Sequence, residues 1–191
     1  MNVPTLRRLS HDLRGSLANL RMGLQACCES PEMLAVLGEA LLQEVDRLDG
    51  RLVQLSWMAR CNTPNNELVN VHAVIEGWGC DRGFSQTELE PVQARLDPDL
   101  LKAALDQLFN NAEQHGGGCQ AVRLQVTGRR LMVEVQDQGR GWPENIHDWL
   151  KDPQLWQGGV ALGLPLAQRV AQALDGELIL QPGSAALSIP L

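Results

Sequence analysis

Leucine recurs at steps of three and four residues through the first sixty positions of the chain. The first run consists of Leu6, Leu9, Leu13, Leu17, Leu20 and Leu24, and the second of Leu34, Leu37, Leu41, Val45, Leu48, Leu52 and Leu55. This spacing predicts two amphipathic helices, each with a narrow apolar seam. Between them, the sequence CESPEM predicts a short connection, with Ser30 as the N-cap of the second helix and Pro31 at its first position.

Two helices joined by a short connection form an antiparallel hairpin. A single hairpin leaves half of each seam in water, whereas two hairpins related by a two-fold axis bury both seams in a four-helix bundle. We therefore expect residues 1–60 to form a homodimerisation hairpin. The alternative is that the seam packs against the rest of the same chain. Residues 61–67, CNTPNNE, predict a linker because Pro and Asn end helices and favour turns.

Beyond the linker, helical segments alternate with strands. Residues 97–115 predict a helix with Asp97 or Asp99 near its N-cap. Residues 162–176 predict another helix, closed by Gly176.

Two β-hairpins accompany these helices. Residues 121–137 alternate apolar and polar positions on both sides of Gly128, and the last segment of the chain turns at Pro182 and Gly183. We therefore expect residues 68–191 to form an α+β domain with its helices on one face of a sheet.

Composition excludes several classes of function. The net charge of −7 argues against a nucleic-acid partner, because binding to that backbone depends on clustered Lys and Arg. The longest apolar run is too short to span a bilayer, and the start of the chain lacks the apolar core of a signal peptide. The five cysteines include no CxxC pair, which favours reduced thiols over a metal site. We expect a cytoplasmic chain with no membrane span.

Three short stretches in the second domain carry candidate chemistry. They are DQLFNNAEQHG (106–116), DQGRG (137–141) and GGVALGL (158–164). Each alone has an ordinary structural explanation, such as a tight turn or a surface amide. In this order they suit a nucleotide. The carboxylate of Asp137 can accept a hydrogen bond from an adenine amino group, the glycines let the backbone approach, and the start of a helix presents N–H groups to an anion.

Together with LSHDLRGSLANL near the N-terminus, these motifs resemble the catalytic core of bacterial two-component sensor histidine kinases. The resemblance covers residues 4–191. It implies an N-terminal hairpin in a dimeric four-helix bundle, followed by an α/β-sandwich ATPase-like domain of the type shared with gyrase. It also implies a protein-histidine kinase that uses ATP and Mg2+ and transfers the phosphoryl group to an aspartate of a response-regulator receiver domain.

The resemblance also assigns site residues. LSHDLRGSLANL is similar to the phosphoacceptor box, which makes His11 the nucleophile. Asn111 stands in the magnesium-binding position of the asparagine box, and Asp137 stands at the adenine contact. Residues between Gly141 and Gly159 correspond to the ATP lid. The nucleotide-binding set implied in this way is Asn111, Asp137, Gly139, Gly141, Gly159 and Gly163.

The position of His11 in its helix agrees with that role. Leu9 and Leu13 lie on the seam, and two residues of helix turn by about 200°, so His11 faces away from it. An exposed imidazole is reachable by a second domain and by a partner, and its neutral form is nucleophilic. Asp12 can orient one ring nitrogen and accept its proton, which leaves the other nitrogen to attack. The alternative is an ordinary surface histidine.

The chain departs from the family pattern at several positions. Gly15 and Ser16 replace Thr-Pro, Gln107 replaces a second Asn, and Ala161 replaces a glycine of the second glycine box. Gln114 stands where a lysine usually contacts phosphate. The candidates to compensate for that lysine are Arg140, Lys151 and Arg169.

The lid segment carries Trp142, Trp149 and Trp156 at steps of seven residues. These tryptophans either anchor the lid or fill a small core.

Two other functions compete with an autokinase. A non-enzymatic histidine phosphotransfer protein would keep His11 and use a degenerate ATPase-like domain as a scaffold. An anti-sigma-type serine kinase would share the ATPase fold but would have no need of the leucine hairpin or its histidine.

Overall fold

A computed structural model of the chain describes residues 3–82, 87–89, 91–151 and 162–191, without the side chains of residues 3–9 and 87–89. The chain begins with two long antiparallel helices, α1 (Val3–Glu29) and α2 (Met33–Arg60). A mixed domain of helices and strands follows. Among the described residues, no helix combines the length and the apolarity needed to cross a membrane.

The apolar seams of α1 and α2 divide into inward and outward positions. Leu48 is buried inside the hairpin, and the Leu41 side chain packs directly against Gly23, where a Cβ would require Leu41 to shift. The outward positions stay exposed, as at Leu17 and Leu52. The hairpin therefore covers only half of each seam, as expected for one protomer of a bundle.

The predicted cap of the second helix is wrong. The N-cap of α2 is Glu32, and the helix begins at Met33 without a side-chain cap. The N–H of Met33 donates to the backbone carbonyl of Ser30 (2.9 Å), while the Ser30 hydroxyl donates to the Glu32 carboxylate (3.3 Å). A backbone turn thus replaces the side-chain cap.

Residues 67–96 form elements that the hydrophobic pattern did not reveal. They are β1 (Glu67–Asn70), α3 (Val71–Asp81), β2 (Thr87–Leu89) and β3 (Gln93–Leu96), and β1 pairs antiparallel with β3. Strands of three or four residues are too short to display an alternating pattern. Strand β1 begins at the last residue of the predicted linker, and the division into domains stays a prediction.

Helix α4 (Pro98–His115) confirms the predicted helix and identifies its cap. The Asp97 carboxylate accepts hydrogen bonds from the N–H groups of Asp99 and Leu100, both at 3.1 Å. Leu101 and Leu105 on its inner face are completely buried. The carboxylate cap and the apolar face together fix both the start and the orientation of this helix.

The remaining elements are β4 (Cys119–Thr127), β5 (Arg130–Asp137), α5 (Ile146–Lys151), α6 (Gly163–Ala173), β6 (Glu177–Gln181) and β7 (Ser184–Pro190). Their sheet has the strand order β2-β4-β5-β7-β6, with β2 parallel to β4 and the other pairs antiparallel. Both predicted hairpins are present. The core lies between this sheet and helices α4 and α6. The predicted α+β class, a helical hairpin followed by an α/β sandwich, is confirmed.

The end of α6 differs from the prediction. Asp175, not Gly176, adopts the left-handed conformation (φ 56°). Gly176 instead lies directly against the backbone of Ser188 in β7, where a side chain would collide with the carbonyl oxygen. The glycine is therefore needed for close packing of the helix terminus on the sheet.

Candidate functional site

A cavity of about 650 Å³ lies between α2, α4 and the start of α6, and this volume is typical of a small-molecule site. Most of the predicted site residues meet in its lining. Gly159 and Ala161 lie outside the described residues. The predicted nucleotide-binding residues that line the cavity are Asn111, Asp137, Gly139, Gly141 and Gly163.

The turn after β5 closes tightly around Asp137. Its Oδ1 accepts a hydrogen bond from the N–H of Gly139 (2.7 Å), and its own N–H donates to the carbonyl of Gly183 (2.9 Å). A Cβ placed on Gly139 would lie 2.9 Å from that Oδ1, and one placed on Gly116 would lie 2.6 Å from the Asp137 side chain. The glycines leave the space that a planar ligand needs beside a fixed carboxylate.

The first turn of α6 faces the same cavity. Its N-cap, Leu162, provides no side-chain hydrogen bond, so the first N–H groups of α6 have no cap from that side chain. Gly163 lies against Gln107, where a Cβ would come 3.2 Å from the amide oxygen. Uncapped N–H groups at a helix start favour a phosphate. The arrangement therefore suits a nucleotide whose phosphates point towards α6.

Helix α2 also contributes to the cavity, which the sequence interpretation missed. Arg47, Arg51 and Gln54 line it from a face of α2 that lies beside the seam. The Gln54 amide donates a hydrogen bond to the Gln107 side chain (2.7 Å), and this contact joins the hairpin to the second domain. The spacing of these three residues places them on one helix face, which is the signal that the sequence offered.

The three cations named as candidates to compensate for Gln114 do not line the cavity in the described part of the chain. Arg169 instead donates hydrogen bonds to the Met58 carbonyl (3.2 Å) and to the Asn62 side chain (2.5 Å) at the end of α2. Arg140 and Lys151 are exposed outside the cavity. None of the three candidates therefore reaches the cavity in this arrangement.

The side chains that line the cavity are compatible with Mg2+ only if substrate phosphates and waters supply most of its ligands. Among the described residues, no group of three or more His, Cys, Asp or Glu side chains could hold a metal ion. Mg2+ is commonly held by one or two protein oxygens together with substrate phosphates and waters. The side-chain oxygen of Asn111, in the cavity lining, fits that arrangement.

Cys119 lies at the start of β4, opposite Asp137 in the sheet register. Burial raises the pKa of the Cys119 thiol to about 11, and the negative charges of Glu113 and Asp137 add to the shift. The thiol is therefore protonated at neutral pH and takes no part in the chemistry of the cavity as a thiolate.

His11 lies on α1 with 89 % of its side chain exposed, as its position off the seam predicts. Its Nδ1 is 3.5 Å from Oδ1 of Asp12, whose side chain is only 23 % exposed. Asp12 Oδ2 is buried and has no hydrogen-bond partner among the described residues. One oxygen of the carboxylate therefore lies beside the imidazole, and the other is enclosed in the protein.

One turn beyond this pair, Ser16 is buried against α2. Its hydrogen bond lowers the pKa of the Glu44 carboxyl and outweighs the opposing effect of burial, and the charge of Arg47 lowers that pKa further. Ser16 therefore links the two helices through an ionised carboxylate.

The lid tryptophans are attached to the core. The Trp142 indole N–H donates to the carbonyls of Gln181 (2.8 Å) and Ser184 (3.2 Å), and Trp149 is half-buried in the cavity wall. Trp142 and Trp149 therefore both anchor the segment and pack against the core. Trp156 lies outside the described residues.

Comparisons with known proteins agree with this architecture. Residues 96–187 match the family described as histidine kinase-, DNA gyrase B-, and HSP90-like ATPase. The sensor protein RstB of Escherichia coli is 29% identical over 188 residues, which cover 88% of this chain and 43% of RstB. The alginate biosynthesis sensor protein KinB of Pseudomonas aeruginosa is 27% identical over 206 residues, which cover 94% of this chain and 35% of KinB. The chain thus spans less than half the length of these relatives.

Among solved structures, the histidine kinase AdeS of Acinetobacter baumannii shares the fold over 94% of this chain and 97% of its own, with a TM-score of 0.74 and 20% identity. The match therefore includes the hairpin as well as the ATPase domain. The family match implies that residues 96–187 belong to an ATP-binding domain. In sequence the chain is similar to sensor histidine kinases, and in fold it matches a histidine kinase along both its helical hairpin and the part that contains residues 96–187.

Proposed function

We propose that the chain is a two-component histidine autokinase. His11 accepts the γ-phosphoryl group of ATP and passes it to an aspartate of a response-regulator receiver domain. The observation that carries this proposal is the presence, in one chain, of an exposed His11–Asp12 pair and a glycine-lined cavity built around Asp137.

The geometry at His11 supports a division of roles between its two nitrogens. Nδ1 faces the Asp12 carboxylate, so Nε2 is the nitrogen that attacks phosphorus. As the N–P bond forms, the bond from phosphorus to the bridging oxygen of ADP breaks, and Asp12 takes the imidazole proton. Phosphoryl transfer depends mainly on positioning and charge stabilisation, so the pair needs only to hold the ring in line.

The cavity residues bind the donor nucleotide in this proposal. Asp137 accepts a hydrogen bond from the adenine amino group, and the N–H groups at the start of α6 face the phosphates. Asn111 holds Mg2+, which supplies neutralisation of phosphate charge when it is bound. The role of the protein is to orient the nucleotide through these groups.

The hairpin forms a homodimer in this proposal. The outward seam positions, including Leu24 and Val45, are exposed in one protomer. A second hairpin buries them as a four-helix bundle and leaves His11, on the opposite face of α1, open to a receiver domain.

The test is phosphorylation of the purified chain with γ-labelled ATP and Mg2+. We expect acid-labile, base-stable label on the wild type and none on His11→Gln. His72→Gln is the matched control, because His72 lies outside the phosphoacceptor box and the three nucleotide-binding stretches. This variant should keep the label. Label that persists on His11→Gln would contradict the assignment of the acceptor.

A non-enzymatic phosphotransfer protein is the second candidate. In its favour, no Lys or Arg from the described part of residues 68–191 lines the cavity. If the wild type takes no label from ATP but His11 takes label from a phosphorylated receiver domain, the phosphotransfer function replaces the autokinase.

A further inference from the structure

The cationic residues of the cavity come from an unexpected element. Among the described residues, the only Lys or Arg side chains in its lining are Arg47 and Arg51, and both belong to α2. Residues 152–161, outside the described part, contain neither Lys nor Arg in their sequence. A triphosphate carries several negative charges, and burying them without opposing charge is costly. The hairpin is therefore the source of cationic side chains for this site.

The two arginines differ in their own contacts. The Arg47 guanidinium lies 2.8 Å from the Glu44 carboxylate, so its charge is already offset. Arg51 is half-buried, and its charge also helps to lower the pKa of the Glu44 carboxyl, but it makes no hydrogen bond or salt bridge among the residues that the structure describes. A guanidinium is the side chain best suited to bind phosphate oxygens in pairs. Of the two arginines, Arg51 is thus the one whose guanidinium N–H groups can bind phosphate oxygens without giving up another contact.

The position of Arg51 along α2 places it near the phosphate end of the cavity. Gln54, three residues further, contacts Gln107, which lies beside Gly163 at the start of α6. Three residues of helix advance about 4.5 Å, which is within the reach of an arginine side chain. The adenine end, at Asp137, belongs to a different wall of the cavity.

Arg51 also lies close to the level of the phosphoacceptor. The antiparallel helices are aligned by the contact of Ser16 with Glu44 and that of Gly23 with Leu41. At this offset, His11 lies level with residues 49–53 of α2. Arg51 therefore lines the cavity at about the same level along the hairpin as the acceptor.

We propose that Arg51 binds the terminal phosphates of ATP from the hairpin of the same protomer. The inference rests on the proposed nucleotide-binding function and adds a residue outside the ATPase domain to its binding site. It follows that nucleotide affinity depends on the docking of α2 against the ATPase domain.

The test is calorimetric titration of the full chain with Mg-ATP and, separately, with adenosine, which lacks the phosphates. For Arg51→Gln we expect ATP affinity to fall by about 10-fold or more, the size typical of a lost charge-assisted hydrogen bond. Adenosine affinity should not change. Arg51→Lys keeps the charge and should retain part of the ATP affinity. Arg21→Gln removes an exposed arginine of α1 that does not line the cavity, and it should change neither affinity.

Two results would overturn the inference while the proposed function stands. One is unchanged ATP affinity in Arg51→Gln, and the other is an equal loss for ATP and adenosine, which would make Arg51 a residue that shapes the cavity. A wild-type chain that does not bind ATP at millimolar concentration would overturn the inference and the autokinase together.

Discussion

Helix α4 and the hairpin helices carry similar leucine spacings, but their apolar faces have different partners. In α4, Leu101, Leu105 and Leu108 are at most 2% exposed because the sheet and α6 cover them. In the hairpin, large apolar side chains remain in water. Of the twelve large hydrophobic residues that are exposed in the described part of the chain, nine lie in α1 and α2: Leu17, Met22, Leu24, Leu34, Val36, Leu42, Val45, Leu52 and Val53.

This difference shows what periodicity determines and what it leaves open. The spacing of apolar residues identifies the face of a helix that needs cover, but not the molecule that supplies the cover. Five of the nine, Leu17, Leu24, Leu34, Val45 and Leu52, belong to the two seams. Full burial of a leucine or valine contributes about 1.5–3 kcal/mol, so burial of these five residues favours association strongly. The ATPase domain finds its partner surface within the chain, and we propose that the hairpin finds it in a second copy.

The largest effect should follow from placing charge on the outward seam. We expect Leu17→Glu combined with Leu52→Glu to dissociate the dimer at micromolar concentration, because each change puts a carboxylate where the bundle buries an apolar group. Asn19→Glu combined with Gln25→Glu adds the same charge at exposed polar positions of α1 and should leave the dimer intact. Analytical ultracentrifugation measures both, and a monomeric wild type would remove the basis for the comparison.

A second pair of substitutions distinguishes apolar side chains that are buried within the chain from those that are buried by a second protomer. Leu105→Ala opens a cavity in the core of the ATPase domain and should lower the free energy of unfolding by about 2–5 kcal/mol. That loss should be the same at every protein concentration. Leu52→Ala, on the outward seam, should destabilise the chain by an amount that depends on protein concentration, because its partner is another molecule. Denaturant titrations at two protein concentrations measure the difference. Unfolding curves that do not depend on protein concentration for either variant would contradict burial of the seam in a dimer.

The same distinction explains how much of the fold the sequence predicted. The long helices and both β-hairpins have clear periodicity, and each was predicted. Residues 67–96 were not, although Val71, Ile75 and Trp78 are buried at helical spacing in α3. Strand β2 has only three residues, and its pairing with β4 is a parallel contact that local sequence does not encode.

The candidate site divides in the same way. Asn111, Asp137 and the glycines lie in short motifs whose chemistry is local, so the sequence predicted their grouping. Arg51 and Gln54 enter the cavity through the docking of α2 on the second domain, which is a long-range contact. Such a contact depends on the relative placement of two elements, and the periodicity of one helix does not contain it.

The smallest effect that we predict lies where the hairpin meets the ATPase domain, at the contact between the end of α2 and the N-cap of α4. The Asp97 carboxylate is completely buried, and it accepts hydrogen bonds from the N–H of Asn65 (2.8 Å) and from the Arg60 guanidinium at the end of α2 (3.3 and 3.4 Å). Burial alone would raise the pKa of this carboxyl, but the backbone donors of Asn65 and Leu100, together with Arg60, outweigh burial and lower the pKa.

Because the folded-state pKa of Asp97 is below its unfolded-state value of about 3.9, the native state binds this proton less readily than the unfolded state. The stabilisation is therefore present at neutral pH and is lost as the pH falls through the folded-state pKa, below about pH 4. Asp97→Asn keeps a side-chain oxygen for the helix cap but removes the charge that pairs with Arg60. We expect it to cost about 1–3 kcal/mol at pH 7 and to reduce the loss of stability between pH 7 and pH 3.

Asp99→Asn is the matched control, because its exposed salt bridge with Arg60 contributes only about 0–1 kcal/mol. Urea titrations at the two pH values measure both variants. Equal costs for the two would mean that the buried pair does not hold α2 to the ATPase domain, and the two regions would then be joined mainly by the contacts of Arg169 and Gln54.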